Sequence, residues 1–156
     1  MSENIEKIYH SWDNYSDDII DICSYIDGKN IKPYFVSIYR GSIPMGVHLS
    51  NIYNTPLSII NYQTRSGKTD TPHWLINLLP ETNDAQYTII VLDDIYDTGA
   101  TLKSVKTLLK DYKVDVLYTT IYDNISAEKV SGAEDLNIVS LRRSKGEWIV
   151  FPWEEK

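Results

Sequence analysis

The sequence predicts an α/β domain built on a mostly parallel central sheet, and two observations carry that expectation. Apolar runs of strand length alternate with segments whose apolar residues recur at helical spacing. Two polar clusters, Arg40-Gly41-Ser42 and Asp93 to Thr101, come directly after such runs. Strands alternating with helices imply right-handed crossovers, and ligands then collect beyond the carboxyl ends of the strands. Both clusters are therefore expected to face one pocket.

Trp12-Asp13 opens the first helix, with Ser11 or Asp13 as cap and Ile19, Ile22, Cys23 and Ile26 at helical spacing. Asp27-Gly28-Lys29-Asn30 closes it. Residues 33–39 read as a buried strand. Pro44 then sits where the first turn of a helix accepts proline, and Met45, Val47, His48, Leu49 and Ile52 continue that helix. A second strand is expected at 56–62. From 63 to about 86 the pattern dissolves, and a connection of that length is usually mobile, functional or both. Residues 87–92 form a third strand, after which Leu102, Val105, Leu108, Leu109 and Tyr112 place one apolar stripe on the next helix. A fourth strand is expected at 114–122, with short strands at 137–141 and 148–151. Residues 1–156 are expected to form a single domain.

Composition narrows the function. A net charge of -7 argues against a general nucleic-acid binder, which needs a basic field, while leaving room for a small anionic substrate. The single cysteine, Cys23, cannot form an internal disulfide, which fits a reducing cytoplasm. No apolar run approaches the roughly 18 residues needed to span a bilayer, and the polar start MSENIEKIYHSW lacks a signal-peptide core. His10, His48 and His73 show no metal-ligand spacing, and His48 belongs to a helix face. The expectation is a cytoplasmic protein with no nucleic-acid and no membrane partner.

The informative stretch is VLDDIYDTGATL, residues 91–102, where a strand pattern passes into a helix pattern. Glycine with small neighbours at a helix start leaves N–H groups pointing outward, and with the helix dipole and the hydroxyls of Thr98 and Thr101 they make an anion cradle. The alternative is a plain capped helix with Asp97 or Thr98 as N-cap. Neither a GxxxxGK[ST] loop nor a GxGxxG turn is present, so triphosphate hydrolysis and dinucleotide binding lack their signatures. Asp93 and Asp94 close the strand, where an acidic pair can take sugar hydroxyls or a hard cation such as Mg2+.

A hydrophobic strand followed by DDIYDTGAT resembles the phosphoribosyl pyrophosphate (PRPP) motif of type I phosphoribosyltransferases. SIYRGSIPMG resembles that family's pyrophosphate loop, and EWIVFPWE the base-binding hood of its short xanthine-guanine and hypoxanthine members. With Trp12-Asp13 and the similar length, the resemblance spans nearly the whole chain. It implies the type I fold with a small C-terminal hood from about 137–156 and N-terminal residues. It also implies a Mg2+-dependent purine salvage enzyme acting on PRPP and guanine, xanthine or hypoxanthine, as a homodimer or homotetramer.

The same resemblance implies residue roles. Asp93 and Asp94 would address the ribose hydroxyls and Mg2+; Asp97 would assist proton transfer at the purine N7. Thr98, Gly99, Ala100 and Thr101 would wrap the 5'-phosphate. Arg40, Gly41 and Ser42 would bind pyrophosphate, in a turn that the family often holds with a cis peptide. Trp148 would stack on the base and the backbone of Ile149 read its edge, unless Trp148 is a core aromatic. Arg65 and Lys68, on the 63–86 loop, would close over pyrophosphate or stay solvated; Tyr62 is a loop contact or packing. Glu154 is an acid near the metal or a solvated tail residue. The chain departs from the family after the fourth strand, where Asn124 stands in place of the lysine that meets the base. Lys129, five residues on, is the alternative. Two rivals remain at this stage: a PRPP- or nucleotide-binding regulatory relative, and a transferase for a non-purine base.

Overall fold

The structure is a computed structural model and describes residues 5–63, 68–70, 87–112 and 114–155. The chain runs β1 (Lys7–Tyr9), α1 (Trp12–Gly28), β2 (Lys32–Tyr39), α2 (Ile43–Tyr53), β3 (Leu57–Gln63) and β4 (Lys68–Asp70). It continues through β5 (Tyr87–Tyr96), α3 (Ala100–Leu109), β6 (Asp115–Asn124), β7 (Ile138–Ser144), β8 (Trp148–Val150) and a 3-10 turn at Pro152–Glu154. The main sheet has the order β4-β3-β2-β5-β6-β7, parallel throughout except for β4, which runs against β3. A separate parallel pair, β1-β8, joins the two ends of the chain, with Lys7 opposite Trp148 and Tyr9 opposite Val150.

Period-two alternation divides the core into two faces. Along β2 and β5, Tyr34, Val36, Ile38, Ile89 and Val91 point to one side and pack with Leu102, Val105 and Leu109 of α3. Phe35, Ile90 and Leu92 point to the other, against Ile19, Ile22 and Ile26 of α1 and Met45 and Leu49 of α2. That is the three-layer arrangement expected of a parallel sheet covered on both sides. The local signals act as anticipated at both early helices. The Ser11 hydroxyl caps α1 by accepting the Asn14 N–H at 3.1 Å, and Pro44 lies in the first turn of α2. Asn54 ends α2 in the left-handed region, φ 49°.

Three boundaries differ from expectation. β5 continues past Leu92 to Tyr96, because its polar end still finds a ladder partner: Asp93 pairs with Thr120, Ile95 with Tyr122 and Tyr96 with Asp123. β6 extends to Asn124 for the same reason, with β7 supplying Ser144 opposite it. β7 therefore belongs to the main sheet, and the hood is confined to β1, β8 and the turn after them. Within the 63–86 connection, Gln63 closes β3 and residues 68–70 form β4; Arg65 lies outside the described residues.

Candidate active site

The parallel sheet sets β2 and β5 side by side, so the turns that leave their carboxyl ends meet. Between them lies a cavity of about 260 Å³ lined by Gly41, Asp93, Asp94, Asp97 and the run Thr98–Leu102. The Tyr39–Arg40 peptide beside it is cis. Gly41 is required by close approach: a Cβ there would overlap the carboxylate of Asp94. Arg40 is exposed. Ser42, expected with Arg40 and Gly41 at pyrophosphate, turns its hydroxyl inward. It is 1% exposed, its oxygen accepts the Ile38 N–H at 2.8 Å, and it lies 2.7 Å from the Leu92 carbonyl that can take its proton. The hydroxyl thus ties the turn to β5 and is spent inside the fold.

Gly99 N-caps α3 with φ 82°, a region open to glycine at low cost. A Cβ would also meet Ala133 at 2.6 Å and the Tyr96 ring at 2.9 Å. Gly99 has no side chain to cap this helix end, although Thr98 Oγ1 accepts the Ala100 N–H at 3.4 Å. Neither Asp97 nor Thr98 is the N-cap residue, so the helix dipole and the first-turn N–H groups face the cavity, where an anion is favoured.

Asp93 and Asp94 sit within the β5 ladder. Asp93 Oδ1 accepts the Asp94 N–H at 3.1 Å, and Asp94 Oδ1 accepts the Ile95 N–H at 2.8 Å. Burial first, and then the charge of Asp94, raises the Asp93 pKa; burial also raises that of Asp94, with Glu154 adding repulsion. Such a pair is stabilised by a cation or by hydroxyl donors. Among the described residues no group of three His, Cys, Asp or Glu side chains could hold a metal by itself. Two adjacent carboxylates do fit Mg2+, which binds through one or two carboxylates and takes its remaining ligands from water and substrate phosphate.

A second cleft of about 360 Å³ opens beside the first, lined by Asn124, Ser144, Trp148, Ile149, Phe151 and Glu154. Asp94, Ile95 and Asp97 line both. Trp148 is 58% exposed at this cleft, so it is not a core aromatic. Phe151, which sequence reasoning did not single out, is buried and stacked on Trp153 with ring centroids 4.8 Å apart, forming a fixed apolar wall. Glu154 is no loose tail residue, since its Oε2 accepts the Phe151 N–H at 3.1 Å.

Asn124 lines the second cleft, whereas Lys129, the alternative weighed in the sequence, does not. Lys129 Nζ donates to the carbonyls of Asp97 (2.6 Å) and Asn124 (2.9 Å) and pairs with Asp123 Oδ1 at 2.9 Å. It also lies 4.1 Å from the Tyr96 ring centroid. The ammonium clamps the ends of β5 and β6 together and does not line the second cleft. Lys68 is placed in β4, at the far edge of the sheet order.

Comparison with known proteins identifies the family and the fold. The family model described as the phosphoribosyl transferase domain matches residues 7–156. The chain belongs to that family. Several proteins of known structure share its fold at low identity. A purine phosphoribosyltransferase from Pyrococcus horikoshii is 23% identical with TM-score 0.73, covering 96% of this chain and 95% of that one. The Helicobacter pylori xanthine-guanine-hypoxanthine phosphoribosyltransferase is 20% identical with TM-score 0.74, covering 97% and 94%. A Neisseria gonorrhoeae hypothetical protein with bound ppGpp is 18% identical with TM-score 0.76, covering 98% and 92%. No curated protein matches the sequence. Among the described residues of this phosphoribosyltransferase, no helix is long and apolar enough to cross a membrane.

Proposed function

We propose that this phosphoribosyltransferase transfers ribose 5-phosphate from PRPP to a 6-oxopurine (guanine, xanthine or hypoxanthine) with release of pyrophosphate. One observation carries the reading: a polar cradle and an aromatic-walled cleft meet at a shared wall of Asp94, Ile95 and Asp97. Phosphate belongs in the first, at the α3 N-terminus, and a flat base in the second, against Trp148 and Phe151. The sugar then lies between them, over the acidic pair.

In this reading Thr98, Gly99, Ala100 and Thr101 hold the 5'-phosphate with backbone N–H and hydroxyl groups. Asp93 and Asp94 receive the ribose hydroxyls. They would also hold Mg2+, which when bound with PRPP neutralises charge on the departing pyrophosphate. Arg40 and the Gly41 backbone border the leaving group, and preorganised donors there stabilise charge as it develops. Asp97 reaches both cavities and accepts or returns a proton at the base nitrogen. The backbone of Ile149 reads the base edge. Arg65 and Lys68 remain candidates for covering pyrophosphate. A single domain over 1–156, a cytoplasmic setting and a homodimer or homotetramer complete the proposal.

The test incubates the protein with PRPP, Mg2+ and a panel of bases, and measures pyrophosphate and nucleotide. Nucleotide from the 6-oxopurines supports the reading. PRPP binding without product from any base would overturn it in favour of a nucleotide-binding relative without turnover. Product from pyrimidines alone would transfer the activity to a non-purine base. Asp97→Asn should lower turnover far more than PRPP affinity, since its contact belongs to the transition state.

A further inference from the structure

We propose that Asn124 is a positioning residue for Asp97 and acts on the base only through that carboxylate. The inference rests on the role given to Asp97 above. Asn124 is the last residue of β6, and its Nδ2 donates to Asp97 Oδ1 at 2.9 Å. Its Oδ1 accepts both the Ser126 N–H at 3.2 Å and the Ser126 hydroxyl at 2.8 Å. The chemistry of these partners orients the amide. A carboxylate on one side demands the NH2 group, and a backbone N–H on the other demands the oxygen.

The backbones at both ends of this bond are held as well. Lys129 Nζ reaches the carbonyl of Asp97 and that of Asn124, so one ammonium fixes the separation of the two residues. Asp97 follows directly after β5 and carries a side chain that would otherwise turn about two torsions in an open cavity. The Asn124 amide fixes the carboxylate where the two cavities meet. A charged lysine at 124 could pair with the same carboxylate but would also send a cation toward the base. Asparagine supplies the orienting bond without the charge. A proton-transferring group must be aimed to within about 1 Å, and errors of that size can cost about 100-fold.

The experiment compares single-turnover rates at saturating PRPP with base KM. Asn124→Ala should lower the rate by about 10- to 100-fold. It should leave the base KM within about twofold. In an Asp97→Ala background, adding Asn124→Ala should cost less than about twofold, because there is no carboxylate left to hold. Ser126→Ala removes one of two bonds to the amide oxygen and should lower the rate less than Asn124→Ala. A raised base KM with unchanged rate would overturn the proposal in favour of direct base contact, and so would losses that add in the double variant. A second readout needs no turnover: the side-chain NH2 resonances of Asn124 in ligand-free protein should move on Asp97→Ala. Unmoved resonances would overturn the proposal even if the enzyme is active. Shifted resonances in a protein that makes no nucleotide would uphold the Asn124–Asp97 bond and place the failure in the proposed reaction.

Discussion

Replacing Arg142 by alanine tests how firmly α1 is held to β7 of the main sheet. Asp18, on α1, is 1% exposed and meets two partners from distant parts of the chain. Arg142 Nε on β7 donates to its Oδ1 at 2.7 Å, and His10 Nε2 lies 2.8 Å from its Oδ2. His10 follows β1, is fully buried, contacts the Tyr122 hydroxyl at 3.1 Å and donates its backbone N–H to Val150 of β8 at 2.9 Å. Its ring packs edge-on to Phe151, a wall of the second cleft, at 5.4 Å. Removing one partner of a buried ion pair costs about 3–5 kcal/mol, because a charge is left without compensation. Arg142 is 33% exposed and His10 remains, so solvent screens part of that loss. About 2–3 kcal/mol is the expected cost, the reduction reflecting that screening. For a domain of this size that lowers Tm by roughly 4–12 °C. Urea unfolding followed by tryptophan fluorescence should show a lower midpoint with an unchanged slope. The base KM should rise as the Phe151 wall loosens. A stability loss below about 1 kcal/mol would refute the reasoning, since it would mean that Asp18 is adequately solvated or compensated without Arg142.

The remaining predictions concern the site. Trp148→Ala should weaken base binding by about 1–3 kcal/mol, read by calorimetry. It should change folding stability by less than about 0.5 kcal/mol, because the ring is already exposed. Gly41→Ala places a methyl on the Asp94 carboxylate and should cost about 1–3 kcal/mol of stability together with PRPP affinity, measured by thermal melting and titration. Asp93 has its folded pKa raised by burial and by Asp94, so its ionisation opposes folding. That penalty is absent below the unfolded value, about 3.9, and grows as pH rises through the folded one. Asp93→Asn should therefore raise the Tm of the ligand-free enzyme at pH 7 and leave it nearly unchanged at pH 3–4, in paired melts. Lys129→Met removes the cation that ties Asp97, Asn124 and Asp123, and should lower stability by about 1–2 kcal/mol in urea unfolding.

Much of this was legible from local pattern. Ser11 and Pro44 mark the starts of α1 and α2, and the glycine turn at 99 marks the start of α3, because a cap, a fixed φ and a positive φ are each properties of one or two residues. The alternation of strand and helix patterns was enough to bring the turns after β2 and β5 to the same edge, since parallel strands with right-handed crossovers end on one side. Side-chain chemistry alone does not reveal long-range partners. Ser42 carries a hydroxyl suited to phosphate, yet the carbonyl of Leu92, fifty positions on, claims it. Lys129 carries the charge that made it the alternative to Asn124, yet four oxygens and a ring at the ends of β5 and β6 surround it.

VLDDIYDTGATL shows the division most clearly. Its spacing alone implied a strand, a tight turn and a helix start, and hence a cradle for an anion. Pairing with β6 then carried the strand on to Tyr96, placed Asp93 and Asp94 inside the ladder and delivered Asn124 to Asp97. Turn and helix signals are read from neighbours and survive in the linear sequence. A bond between residues 27 positions apart, or the 112 between His10 and Tyr122, exists only after the sheet closes and sets the register.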